Sequence, residues 1–184
     1  VQALGFLHGF FGDVSKLLSV VDGEMSEKGL ASPWGSSSFW GFSYSYTSPS
    51  RWIPHSITRQ YVEAPPEGVS LSKVAGWYAF VAVHLAPQPV GEPTLIWGAA
   101  TLKSAANVWS SLYYLVLAER GPKFLTRIPV EEWQTISEPG YDLRELRYRA
   151  RAVVDFCDEK MVQQVVTQPL LELVEKARAN LQAV

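Results

Sequence analysis

The chain has 184 residues, 47% of them hydrophobic and 18% charged, with a formal net charge of -2. This is ample material for a packed core and excludes a chain disordered throughout. The near-neutral balance excludes a global electrostatic pull on nucleic acid or an anionic membrane, and one cysteine, Cys157, excludes an internal disulfide or a multi-cysteine metal cluster.

No run of about 18 uninterrupted apolar residues occurs, so no membrane span is expected. The start of the chain lacks the basic stretch of a signal peptide, and the single cysteine fits a reducing compartment, so the expected location is cytoplasmic. One domain spanning 1–184 is expected.

Residues 2 to 22 carry Leu4, Leu7, Phe11, Val14, Leu18 and Val21 at alternating spacings of three and four. That predicts an amphipathic helix, widened by Phe10 and Leu17, with Asp22-Gly23 as its stop. Gly5, Gly9 and Gly12 each cost about 1 kcal/mol in a helix interior, which close approach of another element would offset. The helix either packs on the core or docks on a second chain.

A glycine- and serine-rich loop follows, and then an alternating stretch. Trp40, Phe42, Tyr44 and Tyr46 interleave with Gly41, Ser43, Ser45 and Thr47. That is strand periodicity with one aromatic face, and Trp52 lies close by in sequence. Covered, the face is ordinary core. Left in water, it demands a partner or offers a stacking surface. Residues 57 to 63 predict a strand, with Ile57, Arg59 and Tyr61 on one face and Thr58, Gln60 and Val62 on the other.

The central run is 74 to 85. Trp77, Ala79, Val81 and Val83 alternate with Tyr78, Phe80, Ala82 and His84, so both faces are apolar and an inner strand is expected. Prolines end it, and Thr94 to Ala99 reads as its antiparallel hairpin partner. Residues 104 to 120 carry helical spacing and a Gly121-Pro122 stop, against a competing strand at 111 to 118. Lys123 to Ile128 predicts a short strand, Pro129 to Trp133 a single helical turn, and Glu138 to Tyr141 a turn.

Residues 145 to 156 have two competing periods. Alternation of Glu145, Arg147, Arg149 and Arg151 with Leu146, Tyr148, Ala150 and Ala152 favours a strand over a helix begun at Asp142. As a strand it displays a basic stripe that suits phosphate or an acidic partner, or else a solvated face paired with acids. Asp158 predicts the cap of a helix to about Val166. Thr167 and Pro169 predict the start of another, with Leu170, Leu173, Val174, Ala177 and Leu181 inward and Glu172, Glu175, Lys176 and Arg178 outward.

These elements predict an α+β domain: a mostly antiparallel sheet with an N-terminal helix, a middle helix and C-terminal helices packed on it. No phosphate loop, nucleophile elbow or metal-ligand spacing occurs, so no cofactor or metal is expected. Two functions fit. One is a non-enzymatic protein-binding or adaptor module, acting through Trp40, Phe42, Tyr44, Tyr46 and Trp52 or through the first helix, on a protein partner or a second copy. The other is a small-molecule or enzyme pocket between sheet and helices, with His84 lining it beside Tyr44, Tyr46 and Trp77. Tyr148 alternates away from the arginines, which argues against nucleic acid.

Overall fold

A computed structural model of the chain describes residues 2–33, 39–40, 56–64, 76–85, 91–103, 125, 127–140 and 143–182. Helix α1 (Gln2–Glu27) is followed by strands β1 (Leu30–Ala31), β2 (Phe39–Trp40), β3 (Ser56–Glu63), β4 (Trp77–His84), β5 (Thr94–Leu102), β6 (Val130–Gly140) and β7 (Leu143–Ala152). Helices α2 (Glu159–Val162) and α3 (Gln168–Gln182) close the chain. The sheet runs β1-β3-β4-β5-β7-β6, with β2 also paired to β3, and every pairing is antiparallel. The α+β architecture read from the pattern is the one observed, with α1 and the C-terminal helices on the sheet. The expected middle helix at 104 to 120 falls outside the described residues.

β4 is the inner strand that its two apolar faces predict, buried along all eight residues. Trp77, Ala79, Val81 and Val83 join Ile57, Tyr61, Leu95 and Trp97 against the helices. Tyr78, Phe80 and Ala82 join Val62, Ile96, Ala100, Leu146 and Tyr148 in a second core on the opposite face. Direct cross-strand partners share a face, so two side-chain layers follow from the register alone.

α1 runs past the expected stop at Gly23. Met25 extends the buried stripe of Val14, Leu18 and Val21 by one more turn, and it is fully buried. Burying such a side chain is worth roughly 1.5–3 kcal/mol, which outweighs a helical glycine at about 1 kcal/mol. The stop comes at Gly29, which adopts φ 73° just beyond the last turn.

The C-terminal helices are one continuous run. Asp158 caps α2 by accepting from the Met161 N–H at 2.8 Å, as the pattern predicts. Between α2 and α3 lies a π-helical turn over residues 163–167, closed by the Gln168 N–H to the Gln163 carbonyl. Proline has no N–H for the ladder, and the wider turn ends two residues before Pro169. Thr167 is therefore a buried helix residue, not a cap. Leu170, Leu173 and Val174 are buried as expected. Arg178 does not simply face solvent: it forks onto Glu63 and donates to the Lys28 carbonyl at 3.1 Å.

Two further expectations fail. Where a helical turn was expected over Pro129 to Trp133, strand β6 begins at Val130, and β6 continues through Pro139 to Gly140 where a turn was expected. Lys123 to Ile128 contains no strand among its described residues, although Leu125 is fully buried.

Candidate functional site

The aromatic stretch is where the sequence first places a binding surface. Trp40 lies in β2, its backbone opposite Ile57 of β3. Phe42, Tyr44, Tyr46 and Trp52 lie outside the described residues. His84 ends β4 on the face away from the helices, with Ser56 and Thr94 as its cross-strand neighbours. All three are buried. Trp77 lies on the opposite face of the same strand, so one cavity between sheet and helices cannot be lined by both Trp77 and His84. Among the described residues no three His, Cys, Asp or Glu side chains are grouped to hold a metal ion, and no helix is long and apolar enough to cross a membrane.

The basic stripe is real and belongs to a strand. Arg147, Arg149 and Arg151 sit opposite Ala99, Trp97 and Leu95 of β5, on the helix-side face. Their environments differ. Arg151 is neutralised by Glu131, which takes both contacts at 2.6 and 2.7 Å. Arg147 has a looser approach to Glu145 at 3.8 Å. Arg149 stacks over Trp133, its guanidinium carbon 4.8 Å from the ring centroid. The Nε atoms of Arg147 and Arg149 are shut off from solvent and lack a hydrogen-bond acceptor. A buried donor left so costs about 1–3 kcal/mol. Sequence reading missed Trp133, because residues 130–133 read as a helical turn.

A second feature lies beside α1. Phe10, Val14, Leu17 and Val20 form one wall of a groove of about 630 Å³, and Phe156 and Val162 form part of the other. Its lip is Val154, 75% exposed and the one large hydrophobic side chain so placed among the described residues. The lip exists because β7 stops at Ala152 and a 3₁₀ turn, Val153–Asp155, swings the chain toward α2. The signal in the sequence is the adjacent pair Val153-Val154, where alternation breaks down. Charged residues at the groove are Asp13, Lys16, Asp158 and Glu159. Lys16 is held by Asp13 at 3.1 Å, so the uncompensated charge is that of Asp158 and Glu159. Cys157 is exposed at the same lip.

The helix side also holds a buried ion pair. Arg59 donates from Nε and Nη2 to the two oxygens of Asp22 at 3.0 and 2.7 Å, and the Tyr61 hydroxyl donates to Asp22 at 2.8 Å. Burial, followed by the Asp22 charge and hydrogen bond, pushes the Tyr61 phenol well above its ordinary range, against the opposing pull of Arg59. This trio joins α1 to β3 and touches neither the groove nor the arginine row. No protein-family model, curated protein or solved structure matches the chain.

Proposed function

We propose that this chain is a non-enzymatic protein-binding module that seats a helical segment of a partner in the groove between α1 and residues 153–162. One observation carries this reading: an apolar groove of about 630 Å³ whose lip, Val154, stands 75% exposed. Water-facing apolar surface of that kind is stabilised when an apolar stripe covers it. The acids at the rim favour a partner helix with basic residues flanking its stripe. The aromatic run from Trp40 to Tyr46, with Trp52, is the second surface in the proposal. A small-molecule cavity is the weaker reading, because Trp77 and His84 face opposite ways.

The test is fluorescence anisotropy with two designed peptides, one of leucine and lysine at helical spacing and one of leucine and glutamate. The lysine peptide is expected to bind, and Val154→Asp to weaken it about tenfold, a change of about 1.4 kcal/mol. Equal binding of both peptides, or no effect of Val154→Asp with circular dichroism unchanged, sinks the proposal.

A further inference from the structure

We propose that Arg147 and Arg149 form a site for a phosphate dianion, held between their guanidinium groups on the helix-side face of β7. The two side chains leave the same face two residues apart, about 7 Å along the strand. That spacing lets one tetrahedral anion meet both forks. Their neighbours supply no competing bidentate carboxylate: Arg147 lies between Ala99 and Thr135 in the ladder, and its contact with Glu145 is 3.8 Å. Arg149 has no carboxylate partner among the described residues, only the Trp133 ring. Arg151 shows the contrast, since both oxygens of Glu131 accept from its Nη2.

One further fact points to an anion. Stacking on Trp133 fixes the plane of Arg149, so the fork is oriented before an anion arrives. Two fixed cations match a dianion better than a monoanion.

Isothermal titration of the full chain with inorganic phosphate, at constant ionic strength, tests this. Saturable one-to-one binding is expected, weakened at least about tenfold in Arg149→Gln and in Arg147→Gln. Arg147 has a side chain 40% exposed, so its replacement leaves the fold intact even where Arg149→Gln does not. Arg151→Gln is expected to bind as the parent does, and acetate at least about tenfold more weakly than phosphate. Absence of binding, equal loss in Arg151→Gln, undiminished affinity in Arg147→Gln, or acetate binding as tightly as phosphate each overturns the site.

Discussion

Asp22, inside α1, ties that helix to the sheet. Its carboxylate receives Arg59 and Tyr61 from a strand whose sequence lies far from it. Arg59 has a side chain only 6% exposed, so Asp22→Ala takes a bidentate carboxylate from a buried cation. We expect that change to cost roughly 2–4 kcal/mol in urea denaturation, and a double replacement of Asp22 and Arg59 by leucine to recover much of it. The Tyr61 phenol adds a pH dependence. Its folded pKa lies above the ordinary value of about 10.0, so the folded state holds the proton more tightly than the unfolded one. The stabilisation is complete below about pH 10 and disappears as pH rises from there toward the folded value. Tyr61→Phe is expected to be less alkali-sensitive than the parent, measured as the difference in unfolding free energy between pH 8 and pH 11. None of this was legible from the sequence: periodicity shows which face Arg59 is on, but not which acid will meet it.

At the level of elements, legibility followed regularity. β4 and β7 alternate cleanly over eight or more residues, and both were readable with their facing side chains correctly sorted, whereas β5 was readable as a shorter strand, Thr94 to Ala99, without its faces. β6 was not, because its register slips. The four-residue step from Val130 to Gln134 opposes the two-residue step from Ala150 to Tyr148, and a second irregularity lies between Ser137 and Gly140. Bulges of this kind erase period two, so Pro129 and the glutamates read as a helix start. Helix ends misled for a similar reason. Gly23 and Thr167 are local stop and cap signals that packing of Met25 and Leu170 overrides. Gly98 is the opposite case, a residue whose identity the fold dictates. A Cβ there would lie 1.9 Å from the Arg147 carbonyl and 2.9 Å from the Tyr148 Cα. Both obstacles are backbone, so β5 and β7 would have to part. Gly98→Ala is expected to lower stability by more than about 2 kcal/mol, read from the midpoint of chemical denaturation.

For the whole molecule, the class of fold was available from the order of elements, but the arrangement of the sheet was not. β7 enters between β5 and β6, so the pairing of β5 with β7 spans a long stretch of chain that local pattern cannot bridge. The candidate surfaces were legible in part. The arginine row could be read from alternation, whereas the groove requires α1 and residues 153–162 to meet in space.

That strand order leaves β6 outermost, with no described neighbour on its far side. Eleven residues of open backbone could recruit another copy by main-chain pairing, and β6 carries obstacles to this: two register breaks, Pro139, and the exposed carboxylates Glu131 and Glu132. Thioflavin fluorescence and light scattering of the Glu131→Gln/Glu132→Gln variant at neutral pH are expected to show self-association that the parent resists. A signal matching the parent's would leave the backbone obstacles as sufficient protection. Guarding this margin against a second copy is then a matter of backbone shape and charge on one strand, separate from the strength of the interior.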